Sequence, residues 1–586
     1  MPQPVVAEIS RMQQRRQNAG LMALIAAPGS VEVLVAALAL LAYIGTVTFG
    51  FVNDDRVQIV QNPALRHWRS ALQYFQQDVW AGLGRGTATF YRPLFMLWLR
   101  LNHALFGLQP AGWHAAAVVL HAIASVLVCR LAAHLTRNRA AACAVGVLFA
   151  LHPVHVESVA WVSGATDSLL TICVCGTTVC YLNFIGNGKR RWLAASVVLA
   201  CLALLTKETA VMLPLLLAAS LACVEGDWRR VAKSKSLLIF VALAVAYLPI
   251  RAAALHGAQP FANMTVGQMM LTWPVVSVFY LRELLLPWRL SFYHDVFAAH
   301  GVSQPLLIGA LALLVAMAAL FWWWARRSSR HGLIVTALVW LVLPLLPVFN
   351  LRVMTPGQLV ADRYLYLPSA GFCLLLVVVA LELLERYRSE RAWRLGSTLV
   401  VAASLVYVFV VFTNQTAWAS EVLLYKNAVE MAPRNATAAR NLGVAYVDKG
   451  DLDQGIRWLE RSSQLDPESP DTQFALSQAF YLKGDFSAAY QYIRRALQRD
   501  PQRAQGWLLA SQIALDSGNS EGALAAAQRA QQLWPQGAGY QTILGLVQLH
   551  RGDRKSAEEA FRRELALHPD YIPARVALEK LQSGKS

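Results

Sequence analysis

The chain has 586 residues, of which 56% are hydrophobic and 15% charged, and its mean hydropathy is +0.40. This composition excludes an ordinary soluble globular protein and is typical of a membrane protein. The formal net charge is +17, but 20 basic and 19 acidic residues lie from Gln415 onward, which leaves 32 and 16 before it. A basic excess in short loops between apolar runs is a topology signal, so we expect no nucleic-acid partner.

The first long apolar run, from Val31 to Phe49, ends just before an acidic pair, Asp54 and Asp55. The run is long enough to cross a hydrocarbon layer of roughly 30 Å. Charges near a bilayer are costly and are usually retained for pairing or for chemistry. The alternative is that the two carboxylates only mark the end of the span in the headgroup region.

Two further features describe the apolar half. Arg11, Arg15 and Arg16 precede the first run, as in a signal anchor, whereas a cleaved signal would have a shorter apolar core. The eight cysteines all lie in apolar runs, and none has the spacing of zinc ligands. We therefore expect buried thiols and no disulfide framework.

Basic clusters recur between the apolar runs, and cytoplasmic loops carry such an excess. They lie at 11–16, 137–139, 189–191, 229–235, 326–330 and 386–394. Placing all six in the cytoplasm predicts about eleven spans, at 31–50, 112–135, 140–160, 166–186, 192–206, 209–224, 236–256, 304–325, 332–350, 364–384 and 396–414. The N-terminus is then cytoplasmic and the C-terminal part exported. Residues 269–290 contain two prolines, Arg282 and Glu283, which predicts a re-entrant or outer interfacial segment.

The predicted exported face collects the other unusual polar residues. They are Asp54 and Asp55, Tyr91-Arg92-Pro93, His152 to Glu157, Asp167, Lys207-Glu208, Trp288 to Asp295, and Asp362-Arg363-Tyr364. One explanation is that polar residues simply occur at span ends, because a polar side chain has the lowest free-energy cost there. That explanation predicts scattered single charges, whereas acids, imidazoles and cations recur here in compact clusters. We therefore expect a polar chamber that opens to the exterior beside the lipid headgroups.

The polar C-terminal part has a period of 34 residues. Prolines recur at 433, 467, 501, 535 and 569, and glycines at 450, 484, 518 and 552. This period, with small residues such as Gly443 and aromatics such as Tyr446, is typical of tetratricopeptide repeats. The prolines should end each second helix and the glycines should turn between the helices of a pair. The sequence predicts four repeats over 436–569 and a capping helix from Tyr571 to Leu581. We expect the concave surface of the repeat array to bind a partner protein.

The motifs together resemble one known family. They resemble motifs of the transmembrane and tetratricopeptide-repeat O-mannosyltransferases, which belong to the GT-C glycosyltransferase superfamily. The motifs are Asn53-Asp54-Asp55, Tyr91-Arg92-Pro93-Leu94, His152 to Val159, Lys207-Glu208 and Arg363 to Ser369. The resemblance covers essentially the whole chain, although four repeats are fewer than eukaryotic members usually carry. The Ala/Leu/Arg-rich composition suggests a bacterial member.

The predicted fold class is all-α, a GT-C-like membrane bundle followed by a tetratricopeptide α-solenoid. The expected organisation is a cytoplasmic segment (1–30), a membrane domain (31–414), a linker (415–435) and the repeat domain (436–586). The expected location is the inner (plasma) membrane, with the repeats on the periplasmic side.

The resemblance implies an inverting transferase whose donor is a polyprenyl-phosphate sugar. Phosphate is a good leaving group that needs cations, and Arg92, Lys207 and Arg363 are the candidates. The acceptor hydroxyl needs a base, for which Asp54 is the first choice and Asp55 the second.

Other residues of the motifs are expected to position substrate. They are Tyr91, His152, His155, Glu157 and Glu208. We expect His152 and His155 to hydrogen-bond the sugar or the acidic pair, although His152, His155 and Glu157 could instead bind a metal. No cofactor is firmly implied, but a divalent Mg²⁺ or Mn²⁺ ion that bridges an aspartate and phosphate is an alternative.

Three functions compete at this point. The first is transfer of a sugar to Ser or Thr of an exported protein that the repeats present. The second is transfer to another acceptor, as in an oligosaccharide ligase or a glycan- or lipid-modifying enzyme. The third is a non-catalytic membrane scaffold for envelope assembly, which leaves the acidic pair and the cationic clusters without a role.

Overall fold

The computed structural model describes residues 27, 29–81, 83, 90–255, 264–299, 301, 304–354, 357–387, 389–535 and 537–583. Nearly all of the expected cytoplasmic segment 1–30, with the basic cluster at 11–16, lies outside these residues. The described residues form helices and no strand, so the prediction of an all-α chain is confirmed. The chain divides into two compact units, Met1–Asn427 and Ala428–Ser586, at a point inside the predicted linker. That linker is itself helical, since Thr416–Ala419 and Glu421–Met431 are helices.

The longer helices of the first unit overlap the eleven predicted spans, and Pro93–Phe106 and Val266–Leu285 are two further helices. The longer helices are Ser30–Tyr43, Pro93–Phe106, Pro110–Thr136, Arg139–Leu151, Thr166–Asn187, Arg190–Thr206, Leu213–Glu225, Leu237–Ala254, Val266–Leu285, Pro305–Arg327, His331–Val342, Pro368–Tyr387 and Glu390–Gln415. Val156–Ala160 and Trp228–Ala232 are short α-helices, and Arg56–Val60 is a π-helical turn. Short 3₁₀ turns are Ile44–Thr48, Pro63–Leu65, Trp68–Phe75, Pro153–His155, Val162–Ala165, Glu208–Met212, Leu343–Leu345, Leu351–Val353 and Asp362–Leu365.

Within the described residues, eight helical segments are long and apolar enough to cross a membrane, and a bent pair raises the number to nine. The bend, of 50°, separates Arg139–Leu151 from Pro153–Ala160, because Pro153 cannot continue the first helix. The predicted spans 192–206 and 332–350 correspond to the shorter helices Arg190–Thr206 and His331–Val342. The chain is therefore a multi-pass membrane protein.

Burial separates the centre of this unit from its periphery. More than half of the apolar stretch is buried in Pro110–Thr136 and Pro368–Tyr387, but only 11% in Pro305–Arg327. The helix Pro305–Arg327 therefore exposes an apolar surface that suits contact with lipid. The segment Val266–Leu285 forms a single helix that is not among those apolar enough to span, although it has the required length.

The connection between the first two spans folds into a small helical cap. Its short turns pack Leu65, Tyr74 and Trp80 against Trp98 and Trp113. Residues on these turns are buried although the segment carries many polar side chains. This packing fixes the backbone that follows the acidic pair.

The second unit consists of helix pairs with the predicted 34-residue period. The pairs are Ala436–Asp448 with Leu452–Leu465, Pro470–Lys483 with Phe486–Arg499, Ala504–Asp516 with Ser520–Leu533, and Tyr540–His550 with Arg554–Leu567, followed by Ile572–Ser583. Gly450, Gly484, Gly518 and Gly552 have φ between 81° and 89°, so each turns the chain in the left-handed region as predicted.

One residue after each of these glycines, a side chain caps the second helix. Asp451, Asp485, Asn519 and Asp553 each accept a hydrogen bond of 2.9–3.1 Å from the backbone N–H three residues later. Within the first pair, Gly443 lies so close to Leu459 that a Cβ atom there would approach its side chain to 2.7 Å. The helices form tetratricopeptide repeats.

Candidate active site

The ends of several membrane helices meet around one polar cavity. Its lining comes from the first connection, from the junctions after the bent helix and after Thr206, and from the turn before Pro368. The lining residues are Asp54, Gln58, Val79, Trp80, Phe90, Arg92, Phe95, Trp161, Ser163, Thr166, Lys207, Arg363 and Tyr364. These positions lie in the first connection and at or near helix ends, on the side that the charge pattern assigns to the exported face.

The acidic pair divides between the cavity and the interior. Asn53 has a φ of 53°, a left-handed conformation that Asn tolerates better than most residues. Helical turns begin directly after it, and Asp54 lines the cavity. Asp55 is fully buried, and its Oδ1 accepts hydrogen bonds from the backbone N–H and the hydroxyl of Ser163, at 2.8 and 2.6 Å. Its Oδ2 accepts a third, from the N–H of Val52 at 3.3 Å.

The environment of Asp55 changes its protonation equilibrium. Burial raises the pKa of the Asp55 carboxyl from 3.8 to about 7, although the hydrogen bonds from Ser163 and Val52 act in the opposite direction. The nearby Asp54 carboxylate raises it further. Asp55 therefore titrates in the physiological range while it ties the first connection to the start of the helix Thr166–Asn187.

Each of the three predicted phosphate-binding cations has a carboxylate partner. Nη2 of Arg92 lies 3.1 Å from Oε1 of Glu208, and Nζ of Lys207 lies 2.6 Å from Oδ1 of Asp167. Lys207 and Asp167 are both almost fully buried, with 4% and 5% of their side chains exposed. Asp167 belonged to the predicted polar face but not to the predicted site residues, and its spacing from Lys207 in the sequence gave no sign of the pair.

Arg363 is held by Glu157 from two directions. The guanidinium forms an ion pair with Oε1, and the backbone N–H of Arg363 donates to Oε2 at 2.9 Å. Burial on its own would lower the pKa of Arg363, but the Glu157 carboxylate raises it above the ordinary value. The guanidinium carbon lies 5.4 Å from the ring centre of Trp161 and 5.0 Å from that of Tyr364. These contacts keep Arg363 charged and fix its plane.

The neighbouring Asp362 faces away from this cavity. Its carboxylate accepts a hydrogen bond from the N–H of Ser291 at 3.0 Å and lies 2.9 Å from Nε2 of His294. Burial would lower the pKa of His294, but the Asp362 carboxylate raises it. The pair therefore fastens the segment after Leu290 to the turn that carries Arg363.

The structure places the two predicted histidines outside this cavity. His152 and His155 are fully buried and do not line the cavity. Nε2 of His152 lies 3.2 Å from the carbonyl of Leu284, and Nε2 of His155 lies 2.8 Å from the hydroxyl of Ser369. The bend at Pro153 turns both rings into the helix packing and away from the cavity lining.

Tyr91 also serves the packing of the first connection. Its ring is buried, and its hydroxyl donates to the carbonyl of Phe75 at 3.1 Å.

In the part of the chain that the structure describes, no group of three or more His, Cys, Asp or Glu side chains is arranged to hold a metal ion. The alternative in which His152, His155 and Glu157 bind a metal therefore lacks a suitable donor set.

Sequence reasoning named Tyr364 only as part of the polar face and missed the other aromatic residues of the cavity. Trp80, Trp161 and Tyr364 line it together with two phenylalanines. Tryptophan is common in the apolar half of this chain, so these positions carried no distinguishing signal. Gln58, which is 5% exposed, also lines the cavity, one helical turn after Asp54.

Similarity to known proteins covers both units. Residues 91–250 match the family described as dolichyl-phosphate-mannose-protein mannosyltransferase. Residues 508–572 match the tetratricopeptide repeat family, and residues 415–530 match a family described as anaphase-promoting complex, cyclosome, subunit 3. Among solved structures, YrrB, a tetratricopeptide protein with an unusual peptide-binding site, is 17% identical and matches 34% of this chain and 97% of its own, with a TM-score of 0.25. The repeat fold is established by the helix pairs described above and does not depend on this likeness.

Three curated relatives are protein O-mannosyl-transferases. F38B6.6 of Caenorhabditis elegans is 24% identical over 74% of this chain and 62% of its own length. TMTC1 of Homo sapiens is 26% identical over 78% of this chain and 57% of its own. Tmtc2 of Drosophila melanogaster is 33% identical over 44% of this chain and 29% of its own length.

The chain therefore spans about three fifths of the length of the first two of these relatives. The match includes the membrane helices that carry Arg92 and Lys207 as well as the repeats. The chain is therefore similar to curated protein O-mannosyl-transferases over about three quarters of its length.

Proposed function

We propose that the chain is a membrane glycosyltransferase that moves a sugar from a polyprenyl-phosphate donor to Ser or Thr of an exported protein. The observation that carries this proposal is the composition of the cavity. One aspartate, Asp54, lines it together with Arg92, Lys207 and Arg363. An acid and several cations in one cavity suit the two opposed demands of glycosyl transfer.

Asp54 is the proposed general base. The acceptor oxygen attacks the anomeric carbon while Asp54 takes the hydroxyl proton, and the bond from that carbon to the phosphate oxygen breaks with its electron pair. A single displacement of this kind inverts the anomeric configuration. Asp54 suits the role because it lines the cavity, whereas Asp55 is fully buried and does not line it.

The cations are proposed to hold the donor phosphate. Negative charge grows on the leaving phosphate as the glycosidic bond breaks, so fixed cations stabilise the transition state. A guanidinium has five N–H donors and an ammonium three, so the ion pairs with Glu208, Asp167 and Glu157 do not exhaust them. The carboxylates orient the cations before the donor binds, which reduces the reorganisation that catalysis requires.

The donor and the acceptor are proposed to arrive from different directions. A polyprenyl-phosphate sugar has its reactive carbon at headgroup depth, and the cavity is lined by residues at the ends of membrane helices. The repeats are proposed to bind the acceptor protein on their concave surface, as helical arrays of this type commonly do. The proposed location is the inner (plasma) membrane, with the cavity and the repeats on the exported side.

One observation favours the rival scaffold function. Arg92, Lys207 and Arg363 each have an acidic partner already, which is the arrangement that fastens helices together in a non-catalytic protein. The two functions differ in whether the pocket turns over a donor.

A turnover assay separates them. The purified full-length chain, reconstituted in liposomes, is given radiolabelled polyprenyl-phosphate mannose, glucose or N-acetylglucosamine with an extract of exported proteins. We expect label in protein and release of polyprenyl phosphate with one of these donors, and loss of both in Asp54→Asn. The matched control is Asp227→Asn, because Asp227 only caps a short helix through its Oδ1 and Asn retains that bond. Turnover by Asp54→Asn equal to that of the control would overturn the assignment of the base, and label in glycan or lipid alone would overturn the protein acceptor.

A further inference from the structure

The segment that follows the last membrane helix contacts the turn that carries the acidic pair. We call residues 416–427 the post-membrane segment. The hydroxyl of Tyr425 donates to Oδ1 of Asn53 at 3.0 Å, and Oε2 of Glu421 lies 2.8 Å from Nη1 of Arg56. The N–H of Gly50 donates to a carbonyl of the same segment, that of Ala419, at 3.4 Å. Three contacts therefore join this segment to residues on both sides of Asp54.

Asn53 is the position where such a contact matters most. In the part of the chain that the structure describes, it is one of two residues other than glycine with a positive φ. A left-handed residue is retained only where surrounding contacts hold it, and such positions cluster at functional sites. Asn53 directly precedes Asp54, so its dihedral angles decide where the Asp54 carboxylate points.

The post-membrane segment also supports the aromatic wall of the cavity. Trp418 is 4% exposed, and its ring stacks on Trp161 with 5.9 Å between centres and 24° between planes. Trp161 lines the cavity and lies against the guanidinium of Arg363. Trp418 itself does not line the cavity.

We propose that Tyr425, Glu421 and Trp418 are positioning residues of the active site. Tyr425 and Glu421 hold the turn of Asn53 to Arg56 so that Asp54 faces the acceptor, and Trp418 holds Trp161. This inference rests on the proposed function, because it assigns these residues to the orientation of the proposed base. It extends that function to a segment that does not line the cavity.

A purely structural role makes different predictions. If the segment only stabilises the fold, its variants lower the melting temperature and reduce rate and donor affinity in proportion to the fraction unfolded. If it positions Asp54, variants of Tyr425 and Glu421 lower kcat while donor affinity is retained, since these two residues contact Asn53 and Arg56 and not the three cations. Their effect should also disappear when Asp54 can no longer act as a base.

The test uses Tyr425→Phe and Glu421→Gln in the full-length chain, with Tyr387→Phe as the matched control. Tyr387 is 70% exposed at the end of the helix Pro368–Tyr387, outside the cavity. We expect kcat to fall about three- to tenfold in Tyr425→Phe, the factor that one hydrogen bond of ordinary strength contributes. The dissociation constant of the donor lipid should stay within about twofold, and the control should equal the wild type.

A double-mutant cycle completes the test. In the Asp54→Asn background, we expect Tyr425→Phe to change the residual rate by less than about twofold. An equal loss in both backgrounds, or a kcat like that of the control in Tyr425→Phe, would overturn the positioning role and leave the base assignment standing. An unchanged rate in Asp54→Asn alone would instead overturn the proposed base, on which this inference depends.

Discussion

Ser163 donates two hydrogen bonds to a single carboxylate oxygen of Asp55, from its backbone N–H at 2.8 Å and its hydroxyl at 2.6 Å. This relationship joins the connection after the first span to the junction before the helix Thr166–Asn187. Because the Asp55 carboxylate is fully buried there, only its neighbour Asp54 is presented to the cavity. Two adjacent aspartates thus have different surroundings, which predicts different effects of the same substitution.

We expect Asp54→Asn to lower the transfer rate by about 10²–10⁴, the usual contribution of a positioned base, with little change in melting temperature. Asp55→Asn should instead lower the stability by about 1–3 kcal/mol, because an amide NH₂ would face donors from Ser163 or Val52. Rate and melting temperature are measured on the same detergent preparations. The opposite pattern, with a stable but inactive Asp55→Asn and an active Asp54→Asn, would assign the base to Asp55.

The raised pKa of Asp55 predicts a pH dependence. Burial raises this pKa to about 7, so the carboxylate that accepts from Ser163 and Val52 becomes protonated as the pH falls through that value. Protonation replaces an acceptor oxygen of this network by an O–H group and should change the orientation of the turn that carries Asp54. We therefore expect the transfer rate to rise with pH through a midpoint near 7, measured at saturating donor. Asp55→Asn should lack this step, and a step that persists in the variant would have to come from another group.

The same shift acts on stability with the opposite sign. The folded state binds the Asp55 proton more tightly than the unfolded state, in which the pKa is near 3.8. The stability contributed by this group is therefore fully present below about pH 4 and is lost as the pH rises through about 7. The difference in melting temperature between wild type and Asp55→Asn should accordingly change over this range. A difference independent of pH would contradict the shift.

The sequence predicted the helical bundle, the repeats and the end of the bundle at which the candidate cavity lies. Apolar runs and Lys/Arg loops act over whole helices, so they report spans and their direction without knowledge of packing. That direction was enough to group Asp54, Arg92, Lys207 and Arg363, which line one cavity in the structure.

What the pattern did not contain was the orientation of individual side chains. Asp54 and Asp55 differ by one position, and a left-handed residue before them decides which one faces inward. His155 follows a bend of 50° at Pro153, and that bend places it beside Ser369 instead of in the cavity. Local turns of this kind depend on contacts between elements distant in sequence, so a single sequence does not reveal them.

The proposed topology places the connection after the first span and the repeats on the exported side, and residues 226–236 in the cytoplasm. Single cysteines at Arg69, Lys233 and Ser517 test this, because all three positions are exposed. In intact cells that express a chain otherwise free of cysteine, a membrane-impermeant thiol reagent should label Arg69→Cys and Ser517→Cys only. Lys233→Cys should become reactive after permeabilisation, and labelling of Lys233→Cys alone in intact cells would invert the topology.

Arg363 allows the donor chemistry to be separated from the structure. If its guanidinium binds the donor phosphate, Arg363→Ala should weaken the affinity for the donor lipid. Arg363→Lys should restore it only in part, since an ammonium keeps the charge but lacks the planar fork. Both variants also disturb the ion pair with Glu157, and an unpaired buried carboxylate costs about 3–5 kcal/mol. A loss of binding in Arg363→Ala could therefore reflect unfolding alone.

The double variant Arg363→Met with Glu157→Gln removes this ambiguity. It deletes both charges of the buried pair, so the melting temperature should return close to that of the wild type. The donor affinity should remain as weak as in Arg363→Ala, because no guanidinium faces the phosphate. Donor affinity and melting temperature are measured on one preparation of each variant. If affinity recovers together with stability, Arg363 serves to hold Glu157 and its helix, and the phosphate must be bound by Arg92 and Lys207 without it.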